Sequence, residues 1–241
     1  MKIIYIGTSG YSYREWAGVF YPPGIKAPEM LSYYAARFNA VEINNTFYQL
    51  PAPETLNAWK ERVGAGFRFA VKAGRKITHA DDFGIPGGYL ELFLSRVAGL
   101  GERLGPVLFQ FPAAQGDPER LAGFFEYLRR STRDGPAFTP VIELRSRKLL
   151  NRGFFEAVHG QGLDLCLNDG YLAPEDWPEP LATAYLRLRN GPYGRDDLRR
   201  IAARLREWAI RGKEVYLFFK HETAAPELAA TMAELLFYGN S

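Results

Sequence analysis

Eight short runs of apolar and β-branched residues recur along the chain, and helical periodicity separates almost every pair. The runs cover 2–7, 40–44, 67–73, 106–111, 140–145, 164–169, 183–190 and 214–221. Each is short and bounded by turn signals, as buried parallel strands are. Between them, Leu31, Tyr34, Ala35 and Phe38 recur at helical spacing, as do Leu90, Phe93, Leu94 and Val97. Leu121, Phe124, Phe125 and Leu128 form a further apolar stripe. So do Leu198, Ile201, Ala202, Leu205 and Trp208, and, last, Leu228, Met232, Leu235 and Leu236. A helix is also expected behind Pro53, since proline suits a first turn. The segment 171–180 is rich in proline and acidic residues and reads as loop, so a helix after strand six is expected to be weak or missing.

Parallel strands require crossovers of this kind, and the crossovers are right-handed. Eight βα units in 241 residues have the size of a (β/α)8 TIM barrel, with an open doubly wound sheet as the competing arrangement. No linker or compositional shift divides the chain, so a single α/β domain over 1–241 is expected. One cysteine, Cys166, rules out an internal disulfide framework. The first residues carry too short an apolar stretch for a secretory leader, and nothing approaches a membrane span, so a cytoplasmic protein is expected. Thirty basic against 27 acidic residues leave +3, too small a bias to argue for nucleic acid.

The carboxyl ends of the strands carry the chemistry in a barrel of this type, because the βα loops converge there. Those ends hold Tyr11, Glu42, Asn44, Lys72, Gln110, Glu143, Arg145, Asn168, Asp169, Arg187, Arg189, Lys220 and His221. Glu42 and Asn44, Glu143 and Arg145, and Arg187 and Arg189 are each two apart, so each pair faces one way. Ile43, Leu144 and Leu188 face the other way, toward the helices. If the polar side is inward, Lys72, Arg145, Arg187, Arg189 and Lys220 oppose only Glu42, Glu143 and Asp169. Buried charges must be neutralised by one another or by a ligand, and a cation surplus favours a small anion such as phosphate or carboxylate.

The same strand ends carry a family resemblance. It runs through Gly7-Thr8-Ser9-Gly10-Tyr11-Ser12-Tyr13 with Trp16, then Phe20-Tyr21-Pro22, and then Phe38 to Tyr48 with Glu42 and Asn44 at its centre. Phe67 to Lys72, Ile77-Thr78-His79, Leu104 to Pro112 and Glu143-Leu144-Arg145 complete it. On these motifs the chain resembles the YecE-like family, the domain of unknown function 72, over essentially its full length. The resemblance implies a TIM barrel and no defined activity. Where members of that family usually follow Glu-x-Arg of strand five with His and Trp, this chain has Ser146, Arg147 and Lys148.

Three readings of the strand ends stay open. In the first, Tyr11, Asn44, Lys72, Gln110, Asn168, Arg187, Arg189, Lys220 and His221 hold a small anion, and Glu42, Glu143, Arg145 and Asp169 act on it. In the second, the same groups form a non-catalytic module that recognises a ligand or partner. In the third, Glu42, Glu143, Asp169 and His221 are oxygen and nitrogen donors for a divalent metal in a hydrolase or isomerase. Nucleic acid is a weaker partner: the arginines at 199, 200, 204, 206 and 211 read as a solvated helix face. Asp196 and Asp197 would compete with a phosphate at the start of that helix. No Walker loop, Rossmann fingerprint or zinc spacing is present, and no cofactor follows from the sequence.

Overall fold

A computed structural model describes residues 3–134, 138–220 and 222–237. Within them lie eight parallel strands: β1 (Ile4–Thr8), β2 (Ala40–Ile43), β3 (Arg68–Lys72), β4 (Leu104–Pro112), β5 (Pro140–Arg145), β6 (Asp164–Asn168), β7 (Thr183–Leu188) and β8 (Glu214–Phe219). Their order is β1-β8-β7-β6-β5-β4-β3-β2, so sequential strands are neighbours and the last returns to the first. This is the expected (β/α)8 barrel. The open doubly wound sheet is excluded, because its strand order would reverse part-way.

Helices α1 (Ala27–Ala35), α2 (Pro53–Glu61), α3 (Arg75–Thr78), α4 (Tyr89–Ala98), α5 (Pro118–Asp134), α6 (Arg152–Gly160), α7 (Arg195–Ile210) and α8 (Ala225–Phe237) surround the strands. Pro53 opens α2 as expected, and Asn151 caps α6 by accepting the Phe154 N–H at 3.1 Å. Between β6 and β7 the described chain makes only a three-residue 3-10 turn, Pro174–Asp176. Trp177 covers the gap: it is 3% exposed, and its indole N–H donates to the Leu172 carbonyl at 3.1 Å. Its ring lies 6.4 Å from that of Trp208 on α7. Asp164 anchors the far end of this loop by accepting the backbone N–H groups of Leu181, Ala182 and Thr183.

Side chains alternate between two cores. Ile43, Leu144 and Leu188 join the layer between strands and helices, as parity requires. Inside the barrel, Tyr5, Tyr185, Tyr216 and Phe218 from β1, β7 and β8 fill the space left by Ala40 and Ala70 on β2 and β3. Tyr5 stacks on Tyr216 with ring centroids 4.6 Å apart. Cys166 belongs to this interior, where burial pushes its thiol pKa up, so it is inert packing. The aromatics after β1 pack the first loop down: Phe20 lies 5.6 Å from Phe38 and 5.9 Å from Trp16.

The barrel closes between β1 and β2 by side chains instead of a regular ladder. One backbone bridge, Ser9 to Glu42, joins them among the described residues. Below it, Asn39 accepts the Ile6 N–H at 2.7 Å and donates to the Ile4 carbonyl at 2.9 Å, standing in for a strand neighbour. The Tyr34 hydroxyl accepts the Thr8 N–H at 2.8 Å and donates to the Ala40 carbonyl at 3.1 Å. Gly7 permits the approach, since a Cβ there would stand 1.9 Å from the Ala40 carbonyl oxygen.

Candidate functional site at the barrel mouth

Register brings the polar strand ends together. Gln110 on β4 lies beside Glu143 on β5, and Asn168 on β6 lies beside Arg187 on β7. The hub is Arg187, 2% exposed, whose guanidinium donates to Glu143 Oε2 at 2.7 Å and to Glu42 Oε1 at 2.9 Å. Glu42 also accepts from Ser9 Oγ at 2.5 Å, Asn44 Nδ2 at 3.0 Å and the Tyr185 hydroxyl at 2.8 Å. Glu143 accepts from Gln110 Nε2 at 2.7 Å and Asn168 Nδ2 at 2.6 Å. Two buried carboxylates are thus held by neutral donors around one arginine, the arrangement a buried ion pair needs to offset desolvation.

Electrostatics follow from this packing. Burial pushes the Glu42 carboxyl up, but Arg187, Arg189 and the Ser9 hydroxyl together outweigh it and bring its pKa down to about 2. Glu143 is lowered as well, burial being outweighed by Arg187, Gln110, Arg189 and Asn168. Both stay ionised, so neither has the raised pKa a general acid needs near neutrality. The Lys72 pKa is lowered as well, which for an amine disfavours the charged form: burial and then Arg187 bring it down to about 8, against the pull of both carboxylates.

Above this network opens a cavity of about 470 Å³. Of the residues expected at the site, Asn44, Lys72, Gln110, Glu143, Arg145, Asn168, Arg187 and Arg189 line it. Lys72 Nζ donates to Gln110 Oε1 at 2.8 Å, its hydrogen bond among the described residues, and lies 4.1 Å from the Phe47 ring centre. Arg189 donates to Ser9 Oγ at 3.0 Å and stands 3.6 Å from Glu42, with a quarter of its side chain exposed (24%). Its Nε is buried with no hydrogen-bond partner among the described residues. Arg145, on the rim, donates to the Tyr171 hydroxyl at 3.0 Å. Four cations therefore face two carboxylates.

Other expected residues fall elsewhere. Glu42 lies beneath the floor, fully buried, where it acts on Arg187 rather than on the cavity. Tyr11 lines a separate small hollow beside Trp59. Asp169 accepts the Arg189 backbone N–H at 2.7 Å and the Tyr193 hydroxyl, and borders a second cleft of about 760 Å³ beside the helix-free loop. Lys220, directly after β8, pairs with Glu222 at 2.5 Å and does not line the cavity. His221 lies outside the described residues. The metal reading finds no group of three His, Cys, Asp or Glu among the described residues that could hold an ion. The oxygens of Glu42 and Glu143 are already taken by Arg187 and its neighbours.

The strand-end reading passed over Ser9, Phe47, Tyr171 and Tyr185. Ser9 and Tyr185 share inward parity with Tyr5 and Arg187, which could have found them. Phe47 and Tyr171 sit on loops, where parity gives no guide. On α7, Arg199 and Arg200 are committed locally, to Asp196 at 2.7 Å and Asp197 at 2.5 Å, as a solvated face requires. Arg204 and Arg206 depart from it: both are half-buried and donate to the backbone carbonyls of Trp177 and Leu236. Among the described residues no helix is long and apolar enough to cross a membrane.

Residues 5–240 match the model of the family described as "Protein of unknown function DUF72". The UPF0759 protein YecE of Escherichia coli (strain K12) is 31% identical over 161 residues, which cover 67% of this chain and 55% of that protein. The chain thus spans little more than half the length of that relative. Among solved structures, a DUF72 family protein from Enterococcus faecalis V583 superposes with a TM-score of 0.78 at 19% identity, over 98% of both chains. A DUF72 family protein from Thermotoga maritima MSB8 gives 0.73 at 25% identity, over 97% of both.

Proposed function

For a chain that belongs to the DUF72 family, proteins of unknown function, we propose a role read from the barrel mouth: it binds a small anionic ligand, a phosphate or carboxylate compound. The observation that carries this is the charge left over once Arg187 has satisfied Glu42 and Glu143. Lys72 is held by an amide and not a carboxylate, and Arg189 is pressed down in pKa by burial and by Arg187 beside it. An anion seated among Lys72, Arg145 and Arg189 would relieve that repulsion. The cavity has the volume of a small metabolite site.

The locked state of Glu42 and Glu143 favours recognition over carboxylate acid–base chemistry. Both serve as positioning residues for Arg187, and Glu143, through Gln110, also for Lys72.

Thermal denaturation with inorganic phosphate, sulfate and small mono- and dicarboxylates tests the reading. An anion at about a hundred times its Kd adds about 2.7 kcal/mol, which raises Tm by roughly 5–10 °C for a chain of this size. Arg189→Met should abolish that rise. If no phosphate or carboxylate compound shifts Tm at any concentration, the anion pocket is refuted.

A further inference from the structure

We infer that Lys72 is a nucleophile that forms an imine with a small carbonyl compound bearing a phosphate or carboxylate. The inference rests on the anion-pocket reading, which supplies the group that seats the substrate.

The partner of the Lys72 amine matters first. Lysines meant to stay charged sit against carboxylates, but Lys72 donates to the carbonyl oxygen of Gln110. An amide oxygen accepts from an ammonium and, more weakly, from a neutral amine, so the bond survives loss of the proton and leaves the nitrogen lone pair free. Gln110 cannot turn its NH2 toward Lys72, because Glu143 Oε2 accepts that NH2 at 2.7 Å. Glu143 is itself fixed by Arg187. The chain Arg187–Glu143–Gln110 therefore orients an acceptor at the lysine and sets a like charge behind it.

The surroundings complete the case. The amine lies on the cavity wall, against the Phe47 ring, with Arg187 and Arg189 lining the same space. Partial desolvation next to other cations is how a lysine is made reactive toward carbonyls. A pKa near 8 is consistent with that placement. Competing nucleophiles are spent or out of reach: Ser9 commits its hydroxyl proton to Glu42, and Cys166 is packed in the interior below.

The step balances without a further reagent. The amine lone pair attacks the carbonyl carbon and the C=O π pair moves to oxygen. The carbonyl oxygen leaves as water with the two amine protons, relayed by solvent at the open mouth, and a C=N bond to Lys72 remains. The arginines holding the anionic end fix which carbon faces the amine.

Reductive trapping tests this on the full chain. The protein is incubated with glycolaldehyde phosphate or uncharged glycolaldehyde and sodium cyanoborohydride near pH 8, then digested and mapped by mass spectrometry. Phosphoglycolaldehyde should label Lys72 on the order of ten- to a hundredfold above the other lysines, inorganic phosphate should suppress that label, and uncharged glycolaldehyde should label it far less. Lys72→Arg should lose the label. If both aldehydes label Lys72 alike, the imine stands and the anion pocket falls. If phosphate still raises Tm but Lys72 is labelled no more than the other lysines, the imine is overturned and the anion pocket survives.

Discussion

Arg187 and Glu143 meet 2.7 Å apart beneath the mouth, both about 2% exposed, and the second guanidinium nitrogen reaches Glu42 from the same position. One planar cation thus bridges carboxylates on β2 and β5, three places apart around the barrel, which the ammonium of a lysine cannot do with fixed geometry.

Removing that cation should be severe. Arg187→Met leaves Glu143 buried without its paired cation and Glu42 with only Arg189 at 3.6 Å, a loss of about 3–5 kcal/mol. Urea denaturation should show the midpoint falling with an unchanged slope. Arg187→Lys should recover only part of the loss. A variant as stable as the parent would show that the floor contributes nothing.

Acid should act through the same floor. Glu42 has a pKa of about 2 when folded against an ordinary value of 4.5, so the unfolded chain binds the proton more tightly. Its contribution is complete above about pH 4.5 and is lost as pH falls toward 2, on the order of 3 kcal/mol across that window. Denaturation curves between pH 2 and 6 should show this slope, and Glu42→Gln should flatten it.

Lys72 has the opposite sign. Its pKa of about 8 when folded, against an ordinary 10.5, means the charged form is disfavoured by folding below pH 8. That penalty is relieved as pH rises from about 8 to 10.5. Lys72→Met should therefore be more stable than the parent at pH 7, with the advantage shrinking to nothing above about pH 10, as differential scanning calorimetry would show. An equal advantage at all pH values would mean that the effect is packing alone.

The seam makes a prediction independent of the site. Asn39→Ala strands the Ile6 N–H and the Ile4 carbonyl, each costing about 1–3 kcal/mol if buried unsatisfied. Amide exchange at Ile6 should accelerate more than at Leu217, its neighbour on β8. Tyr34→Phe should act similarly at Thr8, while Gly7→Ala should be worse than either because the Ala40 carbonyl has no room to retreat.

The eight strands were legible because each is a compact apolar run, and inward parity correctly grouped Glu143 with Arg145 and Arg187 with Arg189. The runs missed ends: β4 starts at Leu104, two residues before the expected Pro106. Parity assigns a face but not a depth, which strand tilt and stagger decide. That is why Glu42 was expected at the mouth and lies under the floor. Tyr11 and Lys220 lie beyond the last strand residue, where the backbone turns and alternation stops applying. The loop lacking a helix was readable from its prolines, but Trp177 as its cover was not, since its partner Trp208 stands on α7. The seam was illegible for a related reason: Asn39 and Tyr34 act on β1 from a loop and a helix, over distances in sequence that no local pattern records.

The floor of the mouth also bears on how the chain assembles. Glu42 takes bonds from Tyr185 and Arg187, 143 and 145 residues away, and Arg189 reaches Ser9 across 180. Such pairings pay their loop-closure entropy late and slow folding. A barrel built only as far as β6 therefore holds two anions, Glu42 and Glu143, with no guanidinium between them, and only the arrival of β7 makes the interior electrically viable. The charge arrangement that shapes the pocket doubles as a latch registering that the last third of the chain has been built.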